Sequence, residues 1–114
     1  MQFEKFSSLG DSLVNFIYSL AVSKVNETSV SKRAPNRVLS KALINAGLRK
    51  NVKKRVDKHY LADYAEGLIF YAWENKLVTI DECVEILSKN LATDKDEVQA
   101  FSALLKYIER KIHE

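Results

Sequence analysis

Carboxylate side chains that could bind a cation lie on two segments with a helical pattern. Glu4 and Asp11 are seven residues apart in the first segment, a spacing that places both on one face of a helix. Asp63 and Glu66 are three apart in the second and share a face for the same reason. The second segment is apolar nearly all round, so a polar pair within it costs free energy unless a cation or metal ion compensates.

A glycine stands beside each acidic pair: Gly10 precedes Asp11, and Gly67 follows Glu66. Glycine inside a helix costs about 1 kcal/mol relative to alanine, and a close approach of two backbones would offset that cost. If the two helices cross at these glycines, Asp11, Asp63 and Glu66 converge. Clustered carboxylates raise each other's pKa and suit a hard cation such as Mg²⁺, the usual ion of phosphodiester hydrolysis.

The same acids have a second interpretation. They would be ordinary surface residues if each were paired with a base such as Lys58, because exposed ion pairs are common on helices. Spacing alone leaves the metal site and the surface ion pairs both open.

Positive charge is concentrated in the middle of the chain. From Lys24 to Lys58 there are eleven Lys or Arg residues and two acids, a balance of +9, whereas the whole chain carries +3 and the remainder therefore −6. This asymmetry indicates a polyanion-binding stretch on an acidic body. The alternative is a solvated loop and helix face.

The elements that must position these residues are predicted to be helices. Three glycines and one proline in 114 residues are too few for the frequent turns of a β-sandwich or barrel, and the length suits one domain, residues 1–114. The sequence therefore predicts an all-α, compact bundle of about five helices. They start near Phe3 and at Pro35, Asp57, Thr79 and Thr93, and the first three end near Lys24, Gly47 and Asn75. The buried face of the first helix is predicted as Phe3, Phe6, Leu9, Leu13, Phe16, Ile17 and Leu20.

The number of cysteines and the hydropathy of the chain indicate its cellular compartment. The single cysteine, Cys83, excludes an internal disulfide, and two histidines provide no visible zinc framework. No segment reaches the roughly 18 consecutive apolar residues of a membrane span. These features predict a cytoplasmic protein with no membrane partner.

Two motifs resemble those of a known family. FEKFSSLGDSL (Phe3–Leu13) resembles the ribonuclease III signature, roughly E-x-L-E-F-L-G-D-x-x-L. LADYAEGLIFYAW (Leu61–Trp73) is similar to the second acidic motif of that family, L-A-D-x-x-E-A-L-I-G-A. The resemblance extends over the whole chain and implies a compact, all-helical endonuclease domain of the short form, without a double-stranded-RNA-binding domain.

The resemblance assigns roles to individual positions. Asp11 matches the aspartate of L-G-D, Asp63 and Glu66 match D-x-x-E, and Glu4 matches the first signature glutamate, which shapes the site. The implied catalytic residues are these four, and Asp11, Asp63 and Glu66 would bind Mg²⁺, with Mn²⁺ as a substitute. The departure is Ser7, which stands where the family has a second glutamate and removes one of four carboxylates.

The family also implies an activity and partners. Its members form homodimers with a groove for duplex RNA, and hydrolysis leaves a 5′-phosphate and a 3′-hydroxyl. The basic stretch would then neutralise phosphates with little sequence preference and with strong salt dependence. The predicted RNA-binding residues are Lys32, Arg33, Arg37, Lys50, Lys53, Lys54 and Arg55.

Three functions remain open at this point. The first is a metal-dependent endoribonuclease acting on double-stranded or structured RNA. The second, favoured by Ser7, is a catalytically silent version of the fold that binds RNA or serves as a ribonucleoprotein scaffold. The third is a helical protein-interaction module whose resemblance to the nuclease is coincidental.

Overall fold

A computed structural model of the chain describes residues 2–52 and 55–114. Within that part the chain forms five α-helices, two short 3₁₀ helices and no strand. The α-helices are α1 (Ser7–Asn26), α2 (Asn36–Asn45), α3 (Lys58–Glu74), α4 (Ile80–Asp94) and α5 (Glu97–Ile112), and the 3₁₀ helices are Phe3–Phe6 and Arg49–Asn51. The predicted all-α bundle of five helices is confirmed.

Local sequence sets both ends of α2. The helix begins one residue after Pro35, whose missing N–H costs nothing there. It ends at Asn45, and Gly47, two residues further on, has a φ of +79°. The N–H of Gly47 donates to the carbonyl of Ile44 at 2.9 Å, and the N–H of Leu48 donates to that of Leu43 at 3.1 Å. This pair of bonds is the Schellman motif that a C-terminal glycine favours.

The predicted start of α4 at Thr79 is confirmed, and the predicted start of α5 at Thr93 is wrong. Thr79 and Glu82 bond reciprocally at 3.0 and 2.9 Å in a capping box. Thr93, however, lies in the last turn of α4, where its hydroxyl donates to the carbonyl of Lys89 at 3.0 Å. Asp96 caps α5 instead, because a carboxylate is at least as good an N-cap as a hydroxyl.

Helix α3 is the centre of the bundle. It contacts the N-terminal 3₁₀ helix, α1, α2 and α5, while α4 packs on α1 and α5. Ten of its 17 residues are buried, which confirms that a helix apolar nearly all round is central. Of the acids on α3, Glu66 is buried, Asp63 is half-buried and Glu74, in the last turn, is exposed.

The buried face of α1 is not the one that the apolar pattern predicted. Leu9, Phe16 and Leu20 are 62%, 53% and 37% exposed. Of the predicted set only Ile17 is fully buried, and the buried positions are Gly10, Val14, Ile17, Tyr18 and Ala21. Helix α1 thus has two apolar faces. The inner face includes Gly10, which allows close contact with α3, whereas Leu9, Phe16 and Leu20 point outward.

Two glycines allow the close contacts around α3. A Cβ added at Gly10 would lie 2.4 Å from the backbone oxygen of Glu66, and one added at Gly67 would lie 1.7 Å from the backbone oxygen of Phe3. The predicted crossing of α1 and α3 is present at Gly10. Gly67 differs from the prediction, since it admits the N-terminal 3₁₀ helix rather than α1.

We expect Gly10→Ala and Gly67→Ala each to lower the free energy of unfolding by about 1–3 kcal/mol, the range for overpacking. The loss should exceed the gain of about 1 kcal/mol in helix propensity, because the added methyl meets backbone atoms. Urea denaturation measures the effect. Ser12→Ala, at an exposed position of α1, is the matched control and should change stability by no more than a few tenths of a kcal/mol. Equal stability of the glycine variants and wild type would contradict the close contacts.

Candidate active site

The candidate site lies where α1 crosses α3. Gly10 brings α1 against the backbone of Glu66, so the next residue, Asp11, presents its carboxylate to the Glu66 side chain within hydrogen-bonding range. Glu66 is only 4% exposed. Asp63, one turn earlier on α3, lies close enough to act electrostatically on Glu66. The structure thus pairs Asp11 with Glu66 and places Asp63 within electrostatic range of Glu66.

Glu66 is the most perturbed carboxyl group of the site. Burial, the hydrogen bond with Asp11 and the charges of Asp11 and Asp63 raise its pKa to about 8, whereas the charge of Arg33 opposes the rise. Burial disfavours the charged form of an acid, and neighbouring negative charges add to that effect. In the cation-free protein Glu66 therefore holds a proton at neutral pH.

Asp63 is half-buried at the same site. Burial raises its pKa, the charges of Asp11 and Glu4 raise it further, and His59 lowers it. His59 is exposed, and its Nδ1 lies 2.8 Å from the Nδ2 of Asn36 at the start of α2. It nevertheless stands near enough to Asp63 to favour the charged carboxylate.

Glu4 reaches the site from a different element than predicted. It belongs to the N-terminal 3₁₀ helix, not to the same helix as Asp11. A hydrogen bond with Glu4 raises the pKa of the Tyr60 hydroxyl. The Oε2 of Glu4 is buried and has no hydrogen-bond partner within the described part of the chain. A buried carboxylate oxygen without a partner is costly and is a ready ligand for a cation.

Asp11 has two polar partners besides Glu66. The Nη2 of Arg33 lies 3.3 and 3.2 Å from its two carboxylate oxygens, and the Nδ2 of Asn15 donates to Oδ1 at 3.2 Å. Asp11 therefore forms a surface ion pair, as the second interpretation of the sequence proposed, but its basic partner is Arg33 rather than Lys58. Sequence reasoning missed Asn15, although its position four residues after Asp11 places both on one helix face.

The carboxylates can be compared with the ligands that a divalent cation requires. In residues 2–52 and 55–114 no three His, Cys, Asp or Glu side chains form a ready metal-binding group. Mg²⁺, however, is commonly held by one or two carboxylates together with water and substrate phosphate. Asp11, Glu66 and the unpartnered oxygen of Glu4 supply hard oxygen ligands of that kind. The residues present fit a hard divalent cation.

The basic residues predicted to bind RNA are exposed wherever the structure describes them. The described ones are Lys32, Arg33, Arg37, Lys50 and Arg55. Lys53 and Lys54 lie outside the described residues. Arg33 adjoins the carboxylates through its pair with Asp11.

Ser7 is half-buried at the first position of α1, one turn before Asp11. Its hydroxyl stands where the resemblance expects a carboxylate, so that turn of α1 adds no negative charge to the site. Glu4 has the only carboxylate within the described residues that precede Asp11.

An all-α bundle with carboxylates gathered at a helix crossing defines a candidate hydrolytic metal site. The sequence pattern of the family described as Ribonuclease III matches residues 4–114, and the chain belongs to that family. Membership indicates an RNA-cleaving function with a divalent metal ion, and it argues against a coincidental resemblance. A search of curated proteins finds no match.

No α-helix in the described part of the chain combines the length and hydropathy needed to cross a membrane.

We expect the metal-free protein to lose stability between pH 4.5 and about 8, the ordinary and folded pKa values of Glu66. Because the folded state binds the Glu66 proton more tightly than the unfolded state, stability from this group is complete below pH 4.5 and is lost as pH rises through 8. The slope is up to about 1.4 kcal/mol per pH unit. Urea denaturation at pH 5 to 8.5, with a chelator present, measures this change in the free energy of unfolding.

The Glu66→Gln variant isolates this contribution, since glutamine keeps the shape and carries no proton to lose. Its stability relative to wild type should rise with pH across the same window. Glu85→Gln, at an exposed carboxylate paired with Lys24, is the matched control and should show no such rise. Parallel pH profiles for Glu66→Gln and wild type would show that Glu66 keeps an ordinary pKa.

Proposed function

We propose that this protein is a Mg²⁺-dependent endoribonuclease that hydrolyses phosphodiester bonds in double-stranded or structured RNA. The observation that supports the proposal most is the buried Glu66 carboxyl set against Asp11 in a chain of the ribonuclease III family. A structural helix does not need a carboxyl there, and its burial costs free energy that a bound cation would recover.

Asp11, Asp63 and Glu66 would hold the Mg²⁺ ion, and Mn²⁺ would substitute. The ion supplies two things when bound: activation of water at neutral pH and neutralisation of charge on the phosphate. Asp11 and Glu66 would provide negative charge for the ion, and Glu66 would release its proton to solvent on binding it. Glu4, the fourth catalytic residue in this assignment, shapes the site through its contact with Tyr60.

The exposed basic residues would bind the RNA backbone. Each Lys or Arg that neutralises a phosphate releases counterions, so binding weakens steeply with salt and depends little on sequence. Hydrolysis joins the water oxygen to phosphorus and breaks the bond to the 3′ oxygen, which leaves with a proton. The products are a 5′-phosphate and a 3′-hydroxyl.

We also propose a homodimer that pairs through the outer face of α1. Leu9, Leu13, Phe16 and Leu20 recur at intervals of three and four residues, which forms one continuous apolar stripe. Leu9, Phe16 and Leu20 are exposed, and a second copy offers an identical stripe of the same chemistry. Because α1 also carries Asp11, such a contact would place two acidic sites near one another.

We expect wild type to be dimeric at tens of micromolar and Phe16→Glu to be monomeric, because the charge would be buried in an apolar contact. Sedimentation equilibrium measures the association. Ile44→Glu is the matched control, since Ile44 has the same 53% exposure as Phe16 but lies on α2. A monomeric wild type, or a Phe16→Glu variant that associates like wild type, would overturn the dimer.

We expect purified protein to cut duplex RNA with Mg²⁺ or Mn²⁺ and not in a chelator. Asp11→Asn and Glu66→Gln should each lower the cleavage rate by more than about 100-fold, the upper end of the loss from changes outside the ligand shell. Glu85→Gln, which removes an exposed carboxylate elsewhere, should cut like wild type. A gel assay on a labelled duplex measures the rates.

The outcome also distinguishes the second candidate, a silent RNA-binding scaffold, which the serine at position 7 favours. Unchanged cutting by Asp11→Asn and Glu66→Gln would point to a contaminating nuclease and overturn the site. Salt-dependent RNA binding without cleavage in any metal would favour the scaffold. A gain of cleavage in Ser7→Glu would then show that the missing carboxylate is the reason.

A further inference from the structure

A polar stripe runs along α1 on the side next to the candidate site. It consists of Asp11, Asn15, Ser19 and Ser23, which recur every four residues. All four contact the segment Val30–Ala34, which we call the clipped segment. Neither the apolar pattern of α1 nor the proposed RNA contacts accounts for this stripe.

The stripe holds the backbone of the clipped segment at alternate residues. Ser23 exchanges two hydrogen bonds with the backbone of Val30 at 3.0 and 2.9 Å. Ser19 does the same with Lys32 at 2.9 and 2.8 Å. Asn15 accepts from the N–H of Ala34 at 2.8 Å.

The spacing of the polar residues along α1 matches the spacing of the residues that they contact in the clipped segment. Four residues of α-helix rise about 6 Å, and two residues of extended chain span about 6.6 Å. Successive turns of α1 therefore meet every second residue of an extended segment that runs in the opposite direction. Five backbone hydrogen bonds along three turns keep the segment in one register on α1.

The clipped segment places Arg33 at the carboxylates. Arg33 lies between two clipped residues, Lys32 and Ala34, and its guanidinium contacts Asp11 at 3.2 Å. Its side chain is 77% exposed and that of Asp11 is 41% exposed. An ion pair so exposed to water is weak, so a divalent cation can replace it, whereas the backbone that carries Arg33 stays in place.

We infer that Arg33 is an exchangeable counter-ion of the Asp11–Glu66 carboxylate pair, competing with the divalent cation and binding an RNA phosphate once displaced. This inference rests on the proposed function. A guanidinium and a divalent ion repel each other on the same oxygens. The fork of donors on arginine suits phosphate oxygens. The clipped segment holds the freed side chain beside the bound cation, where the phosphate must lie.

The first test is Mn²⁺ binding to the RNA-free protein, followed by electron paramagnetic resonance. Arg33→Ala should bind Mn²⁺ about two- to fivefold more tightly than wild type, the range expected from the loss of one exposed ion pair. Arg33→Lys should restore most of the competition. Lys24→Ala is the matched control, since it also removes one positive charge and one exposed ion pair, that with Glu85, and it should leave Mn²⁺ affinity unchanged.

The second test is binding of duplex RNA by fluorescence anisotropy. With Ca²⁺ at saturation, Arg33→Ala should bind RNA more weakly, and its salt slope should fall by about one phosphate contact. In a chelator, where Asp11 holds Arg33, the same change should have a smaller effect. An equal loss of RNA affinity with Ca²⁺ and in a chelator would overturn the proposed exchange of Arg33 between Asp11 and an RNA phosphate.

The outcomes separate this inference from the function on which it rests. If wild type and Arg33→Ala bind Mn²⁺ equally, or Arg33→Ala binds it more weakly, the competition is wrong while the metal site stands. If wild type binds no Mn²⁺, the metal site and the competition both fail. Ser19→Ala removes the two hydrogen bonds between the Ser19 hydroxyl and the backbone of Lys32, and it keeps Arg33. The Ser19→Ala variant should raise Mn²⁺ affinity less than Arg33→Ala does. An unchanged affinity would show that these hydrogen bonds do not hold Arg33 beside Asp11.

Discussion

The contact between Gly10 and the backbone of Glu66 is the constraint on which the site depends. Because Gly10 has no Cβ, α1 lies directly against the Glu66 carbonyl, and Asp11 then faces the Glu66 carboxyl. Gly67, which follows Glu66, also lacks a Cβ, so the backbone of Phe3 lies directly against it. This contact places the 3₁₀ helix that carries Glu4 next to α3. With side chains at these two positions, the helices would stand further apart and the carboxylates would separate.

This arrangement costs stability, and the rest of the fold offsets the cost. A carboxyl that is 4% exposed beside two other acids loses hydration and meets like charge, which is why its pKa rises. The apolar residues of α3 stabilise the bundle around it, since each buried aliphatic side chain contributes roughly 1.5–3 kcal/mol. The core thus keeps Glu66 in a position that only a proton or a cation makes favourable.

Much of the fold and part of the site could be predicted because their signals are local. Thr79 with Glu82 and Gly47 after α2 were recognisable, since caps need particular residues at fixed offsets. The errors arose where two local signals competed. Thr93 and Asp96 are both good caps, and α1 has two apolar faces, of which the one that includes Phe16 points outward. Periodicity identifies an apolar face but does not say which neighbour covers it.

The sequence by itself determined the all-α class and the ribonuclease III motifs, because these follow from local spacing along the chain. Only the tertiary structure decided what Asp11 pairs with. Arg33 lies 22 residues away in a segment without periodicity, and its place depends on Asn15, Ser19 and Ser23 holding the backbone around it. The four-residue repeat of the stripe on α1 is visible in the sequence, but the segment that it contacts has no matching repeat, so the register between the two is set only when they are folded against each other.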